Sequence, residues 1–231
     1  MRESKVLAGL LILVLLMGAG GLYLIGAFSS PDLSGPVYVQ DYSARLFLNG
    51  SMEETFLYRV NVDGKYRMLY RLWKVPVSFQ SLGSPHVTPV AIDAPPGTVP
   101  YVKDWQGEVR VLDADSGSLA PEIGSLALRD ELGVYRPERL SPGLYEIGYR
   151  YQIHPFLECD DRHCHLNVMF AEEHLPYQNV TLRIVDPGRD VLELYPHPPM
   201  DVSREGQEWV VRGQSPLDRL LEVEMVLNGK A

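Results

Sequence analysis

The sequence has few cationic residues and lacks the motifs of nucleotide-binding sites and common hydrolases. Lys and Arg number 21 against 30 Asp and Glu, so the 231-residue chain has a formal net charge of -9 at pH 7. An acidic surface repels phosphate groups, so no nucleic acid partner is expected. The patterns G-x-S-x-G and H-E-x-x-H and the P-loop do not occur, so the sequence predicts a protein that is not an enzyme.

One long apolar run lies near the N-terminus. Residues 1–5 form a short cytoplasmic segment with Arg2 and Lys5, and residues 6–28, which follow, contain no charged side chain. At 1.5 Å per helical residue, a run of this length crosses a hydrocarbon core of roughly 30 Å. The basic residues before the run predict a single-pass protein of the cell membrane, with its N-terminus in the cytoplasm and the rest outside.

The alternative for residues 6–28 is a signal peptide that is cleaved after Ala27. Signal peptides have apolar cores of roughly 7–15 residues, so the longer run favours an uncleaved anchor. Under both alternatives the linker, 29–36, and the domain, 37–231, lie outside the cytoplasm.

Beyond the linker, apolar and polar residues alternate, as in β-strands with one buried face. The clearest runs are 145–153, 180–184 and 221–227. Asn49-Gly50 separates two further runs, and this dipeptide supplies the positive φ angles of a tight hairpin. The sequence therefore predicts an all-β domain, an antiparallel β-sandwich of Ig-like or related type, after one N-terminal transmembrane helix.

Three segments carry separate predictions. The region 78–107 contains five prolines, which predicts loops and edge strands because proline donates no hydrogen bond to a ladder. It is either a boundary that divides the domain or an elaborate loop. Residues 126–132 are predicted to form a short helix. Glu53 and Glu54 are predicted to be solvated on opposite faces of a strand.

Several segments resemble the extracytoplasmic β domain of YciQ-like predicted membrane proteins. In that family an Asn-Gly-Ser turn precedes an acidic strand. A Tyr-x-Ile-x-Tyr strand is followed by a segment that ends in proline and then by a further strand. The matching segments are 42–55, 70–73, 143–151, 166–170 and 175–182. The resemblance implies the same topology and β fold, but the family is uncharacterised, so it implies no catalytic residues.

The two cysteines of the chain, Cys159 and Cys164, lie in one short segment between two predicted strands. Outside the cytoplasm, a disulfide is the simplest state of two nearby thiols. A separation of five positions across a loop allows the short distance that the bond requires. The sequence therefore predicts a Cys159–Cys164 disulfide.

The alternative for this segment is a zinc or copper site. Its candidate ligands are His154, Asp160, Asp161, His163 and His165, together with the cysteines if these are reduced. His163 and His165 are two positions apart, so on a strand they face the same side. The spacing matches no established zinc pattern, and an oxidised cysteine pair offers no thiolates.

Asn49-Gly50-Ser51 is also an N-glycosylation sequon at an exposed turn, so Asn49 is a candidate acceptor. The sequence as a whole predicts a membrane-anchored extracytoplasmic module that has no catalytic activity and no cofactor. Its predicted partners are the bilayer, through the N-terminal helix, and a protein in the membrane or at the cell surface. The alternative function is a metal-binding protein centred on residues 154–165.

Overall fold

The computed structural model describes residues 31–73, 86–104, 106–154 and 157–229. The predicted cytoplasmic segment, the predicted span and the first two linker residues lie outside these ranges. Within them, no helix combines the length and apolarity that crossing a bilayer requires. The described residues are mostly β-strand, as the alternation predicts.

The described fold contains fifteen strands and one short α-helix. The strands are β1 Val37–Phe47, β2 Ser51–Val60, β3 Met68–Leu72, β4 His86–Asp93, β5 Val99–Lys103, β6 Val109–Val111, β7 Glu131–Tyr135, β8 Gly143–His154, β9 Leu157–Cys159, β10 His163–Ala171, β11 Tyr177–Val185, β12 Val191–His197, β13 Asp201–Glu205, β14 Glu208–Ser215 and β15 Leu221–Asn228. A 3₁₀ turn, Ala114–Leu119, leads into the helix α1, Ala120–Leu126.

These strands form three sheets. The main sheet has the order β13-β14-β11-β1-β2-β8-β4, the second sheet β12-β15-β10-β9 and the third sheet β3-β7-β5-β6. The predicted antiparallel pairing is wrong at the centre of the main sheet, where β1 and β11 are parallel. A long stretch of chain, rather than a tight turn, connects these two strands, so local sequence does not constrain their relative direction.

Alternation of buried and exposed residues places the main and second sheets around one core. In β8, Tyr145, Ile147 and Tyr149 are buried, whereas Glu146 and Arg150 are exposed. The apolar residues of β10 and β15 in the second sheet alternate in the same way. Residues of both sheets belong to one continuous buried cluster, so the two sheets share their largest apolar interior.

The predicted hairpin at Asn49-Gly50 is confirmed, since this turn joins β1 to β2. Gly50 has a φ of 86°, which L side chains rarely adopt. A Cβ atom at this position would lie 2.5 Å from the carbonyl oxygen of Ile153. The tight approach of β8 to the turn therefore requires glycine.

The described part of the proline-rich segment, residues 86–104 and 106–107, contains one edge strand and one interior strand. β4 is the edge strand of the main sheet, and its pairing with β8 shifts register just after Pro89, as expected for proline. β5, which contains Pro100, instead lies between β7 and β6, so the edge prediction is wrong there. Pro100 pairs with Val134 on β7, and the pairing of β5 with β6 begins only at the next residue, Tyr101. The N–H group that proline lacks is therefore not needed for the β5–β6 pairing.

The predicted helix at 126–132 is wrong. The helix α1 ends at Leu126, and Leu132 lies in β7, whose five residues are all buried between β3 and β5. Pro121 in the first turn starts the helix earlier, because proline is favoured at that position. Ile123 of α1 belongs to a small buried cluster next to the third sheet. Residues 131 and 132 form a strand instead of a helix because burial of β7 within the third sheet is more favourable than the helix that local spacing predicts.

Candidate functional site

A cavity of about 600 Å³ lies where β1, β3 and the connections that precede β11 and β15 meet. Much of its wall is apolar, with Val37, Val39 and Leu69 beside the aromatic rings of Tyr58 and Tyr177. Pockets of this volume, with an apolar wall and a few polar groups, are typical ligand sites. The cavity is therefore the candidate functional site of the described residues.

A buried ion pair lies at the edge of the cavity. Arg71, on β3, lines the cavity and is 5% exposed, and Glu54, on β2, is 1% exposed. Arg71 Nε donates to Glu54 Oε2 over 3.1 Å, and the hydroxyl of Tyr42 donates to Glu54 Oε1 over 2.5 Å. The prediction that Glu54 is solvated is thus wrong, because Glu54 shares the inward phase of Met52 and Phe56.

The other nitrogens of Arg71 hold neighbouring segments in place. Nη1 donates to the carbonyl of Leu72 over 2.5 Å, and Nη2 donates to the carbonyl of Phe170 on β10. The guanidinium carbon lies 3.9 Å from the ring centre of Trp73, a favourable cation–π distance. Burial acts to lower the pKa of Arg71, but Glu54 and the neighbouring tyrosines together outweigh this effect, so the pKa is raised. Arg71 therefore joins the third sheet to the second and main sheets.

His174 links the two connections that precede β11 and β15 and form part of the cavity wall. Its Nδ1 lies 2.5 Å from the carbonyl oxygen of Leu175, and its Nε2 lies 2.7 Å from that of Arg219 and 3.1 Å from Ser215 Oγ. A serine and a histidine at this distance can act as nucleophile and base. However, Ser215 is 0% exposed, so its hydroxyl is not presented to a substrate. Burial lowers the pKa of His174, and the contacts indicate a structural role.

The structure brings the two cysteines together. Cys159 and Cys164 are direct partners in the β9–β10 pairing, and their sulfur atoms lie 2.08 Å apart. This separation is consistent with the predicted disulfide. In the intervening turn, Asp160 Oδ1 accepts the backbone N–H groups of Arg162 and His163, each over 2.7 Å. These hydrogen bonds lower the pKa of Asp160.

The other predicted metal ligands of this segment are spread over its surface. His165 and Asp161 are exposed, and the Nε2 atom of His154 lies 3.3 Å from Thr88 Oγ1. Across the described ranges, no three of the five predicted ligands bring donor atoms within 4.8 Å of one another. A metal site within residues 154–165 stays a prediction.

Asn49 is exposed at the β1–β2 turn, and its Oδ1 accepts the backbone N–H of Ser51 over 3.0 Å. Its exposure agrees with the predicted position of the sequon. Glycosylation at this residue stays a prediction.

Solved structures that are similar to the chain include three peptidases or related hydrolases. Aminopeptidase A of Legionella pneumophila has a TM-score of 0.47 and 10% identity, over 84% of this chain and 22% of that protein. The M1 zinc metallopeptidase of Deinococcus radiodurans has a TM-score of 0.45 and 10% identity, over 82% and 42%. Yeast LTA4 hydrolase has a TM-score of 0.44 and 8% identity, over 82% and 28%. The chain spans less than half of each, and likeness at this level assigns it no activity.

The sequence of the chain matches a family of predicted membrane proteins. No curated protein matches the chain. Residues 39–227, most of the chain and nearly all of its described strands, match the family described as "Predicted membrane protein (DUF2207) N-terminal domain". The chain therefore belongs to the DUF2207 family of predicted membrane proteins.

Proposed function

We propose that this chain is a membrane-anchored extracytoplasmic β-sandwich that binds a protein partner in the membrane or at the cell surface without catalysis. The observation that carries the proposal is the cavity of about 600 Å³. The family's description supports a membrane anchor, and the core shared by the main and second sheets supports a sandwich. The proposal includes a specific relationship to the YciQ-like proteins within the matched family.

The cavity lies close to the proposed anchor along the chain. Asp32, Ser34, Gly35 and Pro36 of the linker form part of its wall. The predicted span ends at residue 28, and an extended chain covers at most about 3.6 Å per residue. Asp32 would thus lie within about 14 Å of the end of the span. A partner segment that emerges from the bilayer beside the anchor would meet this cavity first.

The charges at the cavity favour a cationic partner. The acidic residues Asp32 and Asp218 are among those that line the cavity. Arg71, the arginine among the described lining residues, is paired with Glu54. Anionic headgroups and fatty-acid carboxylates are repelled by such a lining, whereas lysine and arginine are attracted. We therefore infer that the occupant is a protein segment with apolar side chains flanked by basic residues.

The test uses the full chain in nanodiscs of neutral lipid and two fluorescent synthetic peptides with one apolar core, flanked by lysine or by glutamate. We expect the lysine-flanked peptide to bind more tightly, as measured by fluorescence anisotropy. Leu217, at the cavity, is 59% exposed, so Leu217→Gln removes apolar contact without disturbing the core. It should weaken binding about tenfold, equivalent to about 1.4 kcal/mol.

Leu144→Gln is the matched control, because Leu144 is 50% exposed on β8 and does not line the cavity. It should leave the affinity unchanged, while Asp218→Asn should reduce the preference for lysine flanks. Absence of binding by both peptides, or equal weakening by the two leucine variants, would reject the cavity as the partner site.

A further inference from the structure

The outward face of the second sheet carries an unusual set of side chains. In β15, Leu221, Val223 and Met225 point into the core, so the intervening Glu222 and Glu224 point outward. In β10, by the same alternation, His165, Asn167 and Met169 lie on the outward face. Because β12, β15 and β10 are neighbours, histidine, amide and carboxylate groups from three strands meet on one surface.

The strand register brings three of these groups close together. His197 on β12 is the direct partner of Glu222 on β15, and Glu224 lies two positions further along that strand. An imidazole nitrogen and one oxygen from each carboxylate all lie within 4.8 Å of one another. The distance from His197 Nε2 to Glu224 Oε2 is 3.9 Å. The carboxylates of Glu222 and Glu224 and the imidazole of His197 therefore converge on one position.

A second observation points to the same position. Asn167 on β10 is the direct partner of Glu224, and its Nδ2 donates to Glu222 Oε2 over 3.3 Å. Its Oδ1 atom is buried and has no hydrogen-bond partner among the described residues. A buried amide oxygen without a partner is unfavourable. Rotation of the amide, whose two ends are nearly interchangeable in shape, exchanges the hydrogen bond to Glu222 for an oxygen that faces the carboxylates, an arrangement that requires a cation between these oxygens.

We propose that His197, Glu222 and Glu224 bind a divalent transition-metal ion of the zinc type, with the amide oxygen of Asn167 as a fourth donor. Zn²⁺ takes imidazole nitrogen and carboxylate oxygen at about 2.0–2.2 Å, which sets tetrahedral donors about 3.4 Å apart. Donors within 4.8 Å of one another reach that spacing by side-chain rotation alone. The imidazole ligand disfavours Ca²⁺ and Mg²⁺, which prefer sets of oxygen ligands.

The proposed site differs from the one that the sequence predicts, although the two share a sheet. His163 and His165 lie on β10 with Asn167, but they belong to the end of the strand near the cysteines. His197, on β12, lies more than thirty residues further along the chain than either histidine. Only pairing of β12 with β15 places it beside Glu222 and Glu224.

The test titrates the full chain in nanodiscs with Zn²⁺ by calorimetry, under oxidising conditions so that Cys159 and Cys164 present no thiolates. We expect one saturable site per chain, which Ca²⁺ does not displace. His197→Gln and Glu224→Gln should each weaken Zn²⁺ binding at least tenfold, and Asn167→Ala should weaken it by less. Titration with Co²⁺ should give the visible absorption of a tetrahedral nitrogen and oxygen site, which His197→Gln abolishes.

The paired substitution His163→Gln with His165→Gln is the matched control and should leave the affinity unchanged. His197 and Glu224 are both about half exposed, so their substitution should preserve the fold, as unchanged circular dichroism would show. Unchanged affinity in His197→Gln and Glu224→Gln, absence of a saturable site, or weaker binding in the paired control would each overturn the proposal. None of these outcomes depends on the cavity.

Discussion

Among the described residues three carboxylates are buried, those of Glu54, Glu131 and Asp186, and the surroundings of the first two differ. Glu54 in the main sheet and Glu131 in the third sheet are each 1% exposed. Glu54 forms an ion pair with Arg71, whereas Glu131 accepts hydrogen bonds from the hydroxyl of Tyr101 and from the backbone N–H of Leu128, the latter over 2.8 Å. One carboxylate therefore has a cation as its partner, and the other has neutral donors.

The nearby lysine of the third sheet does not form an ion pair with Glu131. Lys103 Nζ instead donates to the carbonyl oxygens of Gly124 and Ala127, over 2.8 and 2.7 Å, at the end of α1. Burial raises the pKa of Glu131, and its hydrogen bonds and the charge of Lys103 offset this only in part. Glu54 thus keeps a paired charge in the interior, while the third sheet has a carboxylate whose pKa lies above that of an ordinary glutamate.

The largest expected effect comes from breaking the ion pair of the main sheet. Glu54→Gln and Arg71→Met should each lower the free energy of unfolding by about 3–5 kcal/mol, because each leaves a buried polar partner unsatisfied. The double variant should cost less than the sum of the two, since neither uncompensated group then remains. Urea denaturation of the four proteins measures the cycle.

The control for this cycle is an exposed ion pair, Arg45 with Glu208, in which the arginine side chain is 46% exposed. Arg45→Gln should cost less than about 1 kcal/mol, because solvent screens the pair. If the buried and exposed pairs cost the same, burial of the Glu54–Arg71 pair adds nothing to its contribution to stability.

The second prediction compares glycines in interior strands of the two sheets. A Cβ at Gly133 on β7 would lie 2.6 Å from Tyr101 Oη and 2.7 Å from the carbonyl oxygen of Leu69. Gly133→Ala should therefore cost about 2 kcal/mol, the expected range for overpacking, and displace the Tyr101 hydroxyl from Glu131. Thermal and urea denaturation measure the loss.

Gly148→Ala on β8 is the matched variant in the main sheet. A Cβ there would lie 3.2 Å from Cβ and Oδ2 of Asp93, so Asp93, whose side chain is 72% exposed, has to shift by only a few tenths of an ångström. The cost should stay within about 0.5 kcal/mol. Equal costs at both glycines would contradict the tighter packing of the third sheet around Tyr101.

The smallest expected effect is a change in pH dependence at Glu131. Its folded-state pKa is raised, so in the interval just above the ordinary glutamate pKa the native state holds more protons than the unfolded state. The contribution of Glu131 to stability therefore falls as pH rises through that interval. Glu131→Gln keeps an acceptor for Tyr101 and lacks this fall, so its advantage over the wild type should grow with pH.

Denaturation of both proteins in urea at a series of pH values from 4 to 8 gives this difference directly. Glu53→Gln serves as the control, because Glu53 is exposed on β2, and it should follow the wild-type profile. A wild-type advantage that increases with pH would show that Glu131 behaves as a stabilising anion instead.

Much of the local structure could be predicted because it depends on near neighbours in the chain. The strands containing 145–153 and 221–227 and the turn at Asn49-Gly50 are confirmed, and all three follow from alternation or turn chemistry. The burial of Glu54 was also present in the pattern, because it keeps the inward phase of its neighbours. Its charge nevertheless predicts a solvated side chain, because the cation that pairs with it lies on another strand, outside the local pattern.

The sequence by itself determined the strands whose apolar and polar side chains alternate, and which face of each is apolar, because alternation is a property of consecutive residues. Tertiary structure alone decided that β1 lies parallel to β11, that Arg71 meets Glu54, that a cavity opens beside the linker and that His197 lies opposite Glu222. Backbone hydrogen bonds between strands are alike for almost every residue. The choice of partner therefore depends on how whole faces pack, which no short segment of the chain contains.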